Sequence, residues 1–308
     1  MERLGRSHRD GTAAANASVA CRKVLAAGPC ATVVLAWQPA AAAAVALVLA
    51  ASALRRRRQR WAASTSSVLA ELSLMSALYA LWRYAGSISV MKMDAALTRG
   101  RSLWDVERFL HLPSERHVQQ LALPHPLIVE ACNAYYAIVH GPALILFLAW
   151  LFVRHRDRYP PVRNVVAMAT GACLAIQLVP VAPPRMFRDL GFVDTGLRYH
   201  QSVYTAVGRG MADQLSAMPS VHIAWAVLIG VAVVRISTSR WRWLVLAHVV
   251  GTALVVVVTA NHFWLDGVVA VAVLLAAVAV EAAVRTWRQA ARRGRSPTTA
   301  LPAWIEHA

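Results

Sequence analysis

Seven long apolar segments, separated by polar stretches, dominate the pattern of the chain. A helix needs about 20 apolar residues to cross the hydrocarbon core of a bilayer, and these segments contain few charged residues. Each segment is therefore predicted to be a membrane-spanning helix. The seven segments are 33–54, 62–82, 127–153, 164–181, 219–234, 243–260 and 267–284.

A shorter amphipathic pattern lies between the second and third segments, in SLWDVERFLHL at residues 102–112. At helical spacing, one stripe carries only apolar side chains and the charges lie opposite. The stripe consists of Leu103, Val106, Phe109 and Leu110. This pattern fits a helix on the outer membrane surface, and it fits equally a helix that packs its stripe into the protein.

The composition supports an all-α integral membrane protein. Hydrophobic residues make up 58% of the chain, and the mean hydropathy is +0.47, both too apolar for an ordinary soluble domain. Segment 33–54 is interpreted as a span rather than a secretory signal, because 22 residues is long for a signal's apolar region and no convincing cleavage site follows. A disulfide between Cys21 and Cys30 is allowed by the sequence but unsupported.

The net charge is +17, and the positions of the arginines decide what it means. Arginine clusters follow the first, third, fifth and seventh segments, at 55–60, 154–163, 235–242 and 285–295. If the segments alternate in direction, all four clusters lie on one side, which is typical of the cytoplasmic side of membrane proteins. We therefore expect no nucleic-acid partner, a location in the plasma (cytoplasmic) membrane and a cytoplasmic C-terminus. The same alternation places the loops 83–126, 182–218 and 261–266 outside.

The first polar motif, PVAPPRMFRD at 180–189, follows the fourth segment. Its three prolines predict a stiff, non-helical exit from the helix, which gives Arg185 a fixed base. A guanidinium in this place can bind a phosphate or a carboxylate through two parallel hydrogen bonds. The alternative is that Arg185 only reaches out to lipid headgroups.

The second motif, SAMPSVHIAWAV at 216–227, opens the fifth segment. Pro219 suits the first turn of a helix, and the N–H groups of that turn form an anion site together with the Ser220 hydroxyl. His222 is then within one turn of the outer surface. Taken alone, His222 is explained better as a residue that caps or fills a helix end.

The third motif, TANHFWLDG at 259–267, joins the last two segments. His262 and Asp266 are four residues apart, which places them on the same face of a helix. The carboxylate can then keep one ring nitrogen protonated and leave the other as a nucleophile or base. The alternative is a purely structural pair at the boundary of a span.

All three motifs are predicted at the outer ends of their segments, and such polar groups are costly unless paired or facing a wet cavity. Together they suit phosphoryl transfer through a phosphohistidine. His262 attacks phosphorus, Asp266 orients it, and His222 protonates the leaving oxygen. Arg185 and Ser220 bind the phosphate oxygens as charge develops. This chemistry needs no metal and no cofactor.

The motifs resemble those of the type 2 phosphatidic acid phosphatase superfamily, which has a basic phosphate-binding motif, a PSxH motif and a final HxxxD motif. The resemblance covers roughly residues 65–285. It implies a six-helix transmembrane core, with 33–54 as one extra N-terminal helix, and an active site at the outer face. The substrate it implies is a lipid phosphate or a polyprenyl phosphate, met among membrane lipids.

Two departures from the family pattern bear on the branch. Leu178 stands where the family commonly has a lysine, and Val255 and Val256 stand where it has Ser-Arg. Arg188 or Arg198 would then supply the missing positive charge. The form APPR together with NHxxxD is more similar to the branch of fungal inositol phosphorylceramide synthases, which implies inositolphosphotransferase activity.

The expected division of the chain follows from the charge pattern and the resemblance. It comprises a disordered tail at 1–32, the extra helix with its basic loop at 33–60, the six-helix domain at 61–286 and a basic tail at 287–308.

Other polar residues leave alternatives open. Asn133, Tyr136 and His140 share one stripe of the third segment, which favours interhelical hydrogen bonds over contact with a substrate. Glu71 and His248 are expected to pair inside the bundle.

Two other functions compete with phosphoryl transfer. One is a transporter with a polar outer vestibule. The other is a metal-dependent hydrolase that uses His222, His262, Asp266 and His200 as ligands.

Overall fold

The computed structural model describes residues 37–57, 59–89, 93–202 and 214–292. Within these ranges the chain is helical and contains no β-strand, apart from an isolated bridge between Val181 and Ser216. The predicted all-helical class is therefore confirmed. Cys21 and Cys30 lie outside the described residues, as do the ends of both predicted tails.

Helices occupy all seven of the predicted segments, with two of them in segment 127–153, and three further α-helices lie between the segments in the described chain. In chain order they are α1 Trp37–Arg55, α2 Arg60–Ser89, α3 Met93–Phe109, α4 Glu115–Ala122, α5 Pro126–Ile138, α6 His140–Arg154, α7 Tyr159–Ile176, α8 Thr195–Arg198, α9 Val221–Ile236, α10 Val245–Val258 and α11 Trp264–Arg292.

Within the part of the chain that the structure describes, three helical stretches are long and apolar enough to cross a membrane, namely Trp37–Arg55, Arg240–Val258 and Trp264–Ala291. The pair α5 and α6 makes a fourth if it counts as one span, and α9 is apolar but shorter. These helices support an integral membrane protein. The count of six core helices plus one extra helix stays a prediction.

The third predicted segment, 127–153, is not one straight helix. α5 and α6 are bent by 50° at a break that falls at Val139. Pro142 lies in the first turn of α6, where it has no N–H to donate to the carbonyl of Ile138 and where its ring crowds that carbonyl. The bend therefore follows from the proline, and it turns the two half-helices toward different neighbours.

α7 is displaced toward the N-terminus relative to its predicted segment, 164–181. Pro160 and Pro161 lie in its first turn, where a missing N–H costs nothing because no partner exists there. The helix ends at Ile176. Residues 177–181 consequently belong to the loop that leads to Arg185.

α3 is longer than the predicted amphipathic stretch, and its exposed side is the apolar one. Phe109 is 80% exposed and Val106 and Leu110 are about half exposed, whereas the carboxylate of Glu107 is fully buried. Leu103, by contrast, is partly buried against an apolar cluster of the protein. The interpretation as a helix that buries this stripe therefore holds for Leu103 and is wrong for the other three residues. An exposed apolar stripe is instead typical of a helix that contacts lipid.

The expected pairing of Glu71 with His248 is also wrong. Glu71 forms an ion pair with Arg163 of α7, and His248 Nδ1 lies 2.6 Å from the hydroxyl oxygen of Tyr135 on α5. Glu71 and His248 therefore each have a polar partner, but the sequence did not identify those partners, Arg163 and Tyr135.

Two of the three apolar clusters in the described part of the bundle bear on the position of the site. One joins α6, α7, α9 and α11 through Leu151, Val165, Ala169, Leu228 and Leu274. The other surrounds the loop after α7 and contains Ala96, Ala182, Phe187, Leu215 and Phe263. The packing of the second cluster fixes the position of the polar residues in this loop.

Candidate active site

Arg185 lies in the loop that leaves α7, and main-chain hydrogen bonds hold this loop on two sides. The N–H of Ala182 donates to the carbonyl of Ala96 on α3 at 3.1 Å, and the N–H of Arg185 donates to the carbonyl of Ala260 at 2.9 Å. Arg185 is therefore fixed between α3 and the turn that precedes α11, as the prolines of its motif predicted.

The guanidinium of Arg185 is buried, with 3% of the side chain exposed. It donates to the side-chain oxygen of Asn261 and to the carbonyl of Gln214, and its Nε lies 3.6 Å from the carboxylate of Asp194. A side chain that only reaches out to lipid headgroups would be exposed, so that alternative is wrong. Asn261 is the residue before His262, and its role as a partner of Arg185 was not foreseen.

Ser220 is the N-cap of α9, and Pro219 precedes the helix instead of lying in its first turn. The Ser220 hydroxyl oxygen accepts a hydrogen bond from the N–H of Ile223 at 3.4 Å. The N–H of Ser220 donates to the main-chain carbonyl of Asp266 at 3.1 Å. The start of α9 is thereby tied to the start of α11, and the hydroxyl proton of Ser220 is left to donate.

His262 and Asp266 are in contact, although for a different reason than the predicted one. His262 precedes α11, so the two residues do not share a helical face. The Asp266 carboxylate instead turns back and accepts from the N–H of Phe263 at 2.9 Å, which caps the helix, and the same oxygen lies 3.3 Å from His262 Nδ1. Both side chains are buried.

The surroundings of His262 fix which ring nitrogen carries the proton. Nδ1 lies 2.7 Å from the main-chain carbonyl oxygen of Ala217 and 3.3 Å from the carboxylate oxygen of Asp266. Both atoms only accept hydrogen bonds, so Nδ1 must be the donor. In the neutral ring Nε2 is then unprotonated, and within the described residues it has no hydrogen-bond partner although it is buried. The lone pair of Nε2 is therefore not used by a hydrogen bond within this part of the structure.

His222 lies in the first turn of α9 beside His262, with ring centroids 5.7 Å apart. The rings of Tyr136 and His140 contact it at centroid distances of 4.7 Å and 4.5 Å. These two residues were interpreted as helix-packing residues, whereas they form a wall of the site. Their shared inward stripe was the available signal, but the sequence did not show which helix it faces.

A small polar cavity opens on the other side of Arg185, between α5, the loop around α8 and the turn before α11. Asn133 lies at this cavity and bonds to Thr195 and Gln201 of the loop, with its side-chain nitrogen 3.1 Å from Gln201 Oε1. The lining includes Arg185, Asn133, Tyr136, Asp194, Ser202 and Asn261. Apart from the Arg185 guanidinium and the Asp194 carboxylate, the polar groups that line the cavity are neutral donors and acceptors.

The residues expected to add positive charge, and His200 among the expected metal ligands, do not point into the site. Arg188 and Arg198 are exposed, and so is His200. Among the described residues, no three His, Cys, Asp or Glu side chains come together in a way that could hold a metal ion. The five predicted site residues, by contrast, come from three separate loops and are tied to one another by the contacts above.

The comparison with family models gives a match to the PAP2 superfamily over residues 101–280, which is more than half of the chain. This range contains Arg185, Ser220, His222, His262 and Asp266. No curated protein and no solved structure gave a match. The chain belongs to the PAP2 superfamily.

Proposed function

We propose that the protein is an integral membrane lipid-phosphate phosphatase or phosphotransferase that works through a phosphohistidine on His262. Membership of the PAP2 superfamily supports a phosphatase or phosphotransferase and a lipid phosphate as substrate. The observation that carries the mechanism is the orientation of His262. Its Nδ1–H is held by two acceptors, and its buried Nε2 has no hydrogen-bond partner among the described residues.

In the first step, His262 Nε2 attacks phosphorus and forms a P–N bond while the P–O bond to the lipid alcohol breaks. His222, protonated, gives its proton to the departing oxygen. The positive charge that develops on the His262 ring is stabilised by the buried carboxylate of Asp266, 3.3 Å from Nδ1. Because both side chains are buried, their interaction is screened less than it would be in bulk water.

Arg185 and the start of α9 bind the phosphate oxygens in this proposal. The Arg185 guanidinium is already oriented by Asn261 and Asp194, so little side-chain freedom is lost when a phosphate binds. The Ser220 hydroxyl and the first N–H groups of α9 lie on the same side as His222 and add donors for the remaining oxygens.

In the second step, an acceptor hydroxyl attacks the phosphohistidine and the P–N bond breaks, which returns Nε2 to its starting state. His222, now neutral, takes the proton from the acceptor. Water as acceptor gives hydrolysis, and a lipid or polyol alcohol gives transfer. The similarity of the APPR and NHxxxD motifs to the inositol phosphorylceramide synthase branch supports transfer of an inositol phosphate group as the specific reaction.

We place the active site at the extracytoplasmic face of the plasma membrane. The site is built from the C-terminal end of α7, the N-terminal end of α9 and the connection from α10 to α11. The basic clusters at 154–163, 235–242 and 285–292 lie at the opposite ends of these helices. Since basic residues favour the cytoplasmic side, the site faces outward and the C-terminus is cytoplasmic.

The test uses the purified full-length protein in lipid nanodiscs and a panel of radiolabelled lipid phosphates. His262→Ala and His222→Ala should each abolish phosphate release while the protein still inserts and remains monodisperse. Rapid denaturation during turnover should trap an acid-labile, alkali-stable phosphoryl group on the wild type but not on His262→Ala. Adding inositol or diacylglycerol as acceptor then separates transfer from hydrolysis.

The matched control is His117→Ala, because His117 is an exposed histidine on α4. This variant should retain wild-type turnover and the trapped phosphoryl group. Phosphate release that survives in His262→Ala, or a label that is alkali-labile, would refute the phosphohistidine mechanism.

A further inference from the structure

Two buried carboxylates from outside the site motifs reach the start of α11. Glu107 of α3 and Glu115 of α4 are both fully buried. Glu115 Oε1 accepts from the N–H of Trp264 at 3.3 Å, and Glu107 Oε1 accepts from the N–H of Leu265 at 2.7 Å. These N–H groups lie within the third motif, two and three residues after His262.

The three successive N–H groups at the start of α11 therefore donate hydrogen bonds to three different carboxylates. Asp266 takes the N–H of Phe263, and the two glutamates take the next two. The first N–H groups of a helix have no partner within the helix, so these acceptors decide where the helix begins and how its first turn is oriented. The orientation of that turn sets the direction from which Asp266 meets His262.

The charge around this cluster is unbalanced. Glu107, Glu115 and Asp266 all reach the same helical turn, and among the described residues the arginine that pairs with this cluster is Arg108, whose Nη2 lies 3.3 Å from Glu115 Oε2. The Arg108 guanidinium is itself stacked 4.5 Å above the ring of Trp104. Three buried negative charges so close together are unfavourable when only Glu115 has this partner, so one carboxylate is expected to carry a proton.

Glu107 is the carboxylate that carries it. Burial, followed by a hydrogen bond to Glu115 and the negative charges of Glu115 and Asp266, raises the pKa of Glu107 to about 9. As an ionised group, its buried Oε2 would have no donor among the described residues. As a neutral acid, Oε2 donates to Glu115 while Oε1 keeps the N–H of Leu265.

We propose that Glu107 is a positioning residue for phosphoryl transfer: as a neutral acid it links α3 and α4 to the first turn of α11 and so holds the Asp266–His262 pair in its reactive orientation. This inference rests on the function proposed above. Ionisation of Glu107 places a further negative charge beside Glu115 and Asp266, which pushes the first turn of α11 away from α3. Activity should therefore fall on the alkaline side as Glu107 loses its proton.

The experiment compares two substitutions at Glu107. Glu107→Gln has the shape of the neutral acid, accepts from Leu265 and donates to Glu115, so it should keep kcat near that of the wild type at neutral pH. Its alkaline loss of activity should move to higher pH. Glu107→Leu removes both hydrogen bonds and should lower kcat by about 10- to 100-fold with little change in KM. Asp105→Asn, an exposed acid on the same helix, is the matched control and should change neither quantity.

Thermal unfolding at a series of pH values gives a readout that does not depend on activity. The folded protein keeps a proton on Glu107 that the unfolded chain releases above about 4.5, so this group makes the wild type less stable as pH rises from about 4.5 to about 9. Glu107→Gln should remove that part of the pH dependence. Glu107→Gln retains the hydrogen bonds. Its unfolding profile therefore tests whether Glu107 is protonated even if Glu107→Leu does not fold.

The possible failures are distinguishable. If the wild type transfers no phosphoryl group from any lipid phosphate, the proposed function is wrong, and with it the role assigned to Glu107. If the wild type is active but Glu107→Gln has the same alkaline profile and the same pH dependence of unfolding, Glu107 is not the protonated group. If Glu107→Leu folds with wild-type kcat, Glu107 does not position the site.

Discussion

Replacement of Gly100 by alanine tests whether α3 holds the Arg185 loop in place. Gly100 faces this loop one helical turn after Ala96, whose carbonyl accepts from the N–H of Ala182. A Cβ at position 100 would lie 2.5 Å from the carbonyl oxygen of Ala182 and 2.8 Å from the ring of Phe187. The missing side chain is therefore what allows the helix and the loop to approach so closely.

The size of the effect follows from these distances. Carbon contacts are most favourable at about 3.5–4.0 Å, so α3 and the loop must separate by roughly 1 Å. Overpacking of this kind costs about 1–3 kcal/mol, offset in part by about 1 kcal/mol of better helix propensity. Because Arg185 is three residues from Ala182, the phosphate-binding group moves as well, and a displacement near 1 Å can lower kcat/KM by about 100-fold.

The assay measures kcat/KM for phosphate release together with the apparent melting temperature. Gly100→Ala should lose activity by about 10- to 100-fold with a small fall in melting temperature. Gly171→Ala is the matched control: it lies inside α7, and a Cβ there meets only Leu78 at 3.6 Å, an ordinary contact. The control should keep full activity. Wild-type activity in Gly100→Ala would show that contact with α3 does not set the position of Arg185.

Two further substitutions separate charge from structure. Asp266→Asn keeps an oxygen that can accept from Phe263 but loses the negative charge next to His262, so we expect kcat to fall about 100-fold or more with KM little changed; an unchanged kcat in steady-state assays would remove Asp266 from the mechanism. Glu71→Gln breaks the partly exposed pair with Arg163 at the opposite end of α7, where such pairs contribute about 1 kcal/mol or less. The melting temperature should fall slightly while kcat per folded molecule stays constant, and a loss of kcat at unchanged stability would contradict a purely structural role.

The sequence by itself determined the class of the protein and the places of its helices. In lipid, a long apolar segment forms a helix, because its backbone N–H and C=O groups must hydrogen-bond to one another where no water is present. Local chemistry set some helix boundaries, such as the prolines in the first turn of α7 and the N-cap Ser220, although the predicted segments 164–181 and 219–234 did not begin at these positions. The motif residues could be found in the same way, since a polar group at the end of an apolar segment is conspicuous.

The sequence did not show which helices pack against one another. Periodicity shows that Glu71 faces inward, but it does not show that the inward side meets Arg163 instead of His248. In the same way, the stripe with Tyr136 and His140 was visible, whereas its contact with His222 depends on how α5 packs against α9. Many helix arrangements satisfy one pattern of polar and apolar residues, and side-chain fit selects among them.

Only the tertiary structure decided the chemical state of the site. The tautomer of His262 is set by the carbonyl of Ala217, which lies 45 residues away in the chain, and the start of α11 is capped by Glu107, 158 residues away from Leu265. A hydrogen bond depends on distances of a few tenths of an ångström, and neither partner's sequence position encodes that distance. The candidate residues for the proposed phosphoryl transfer were therefore readable from the chain, while their positions and protonation arose from the fold.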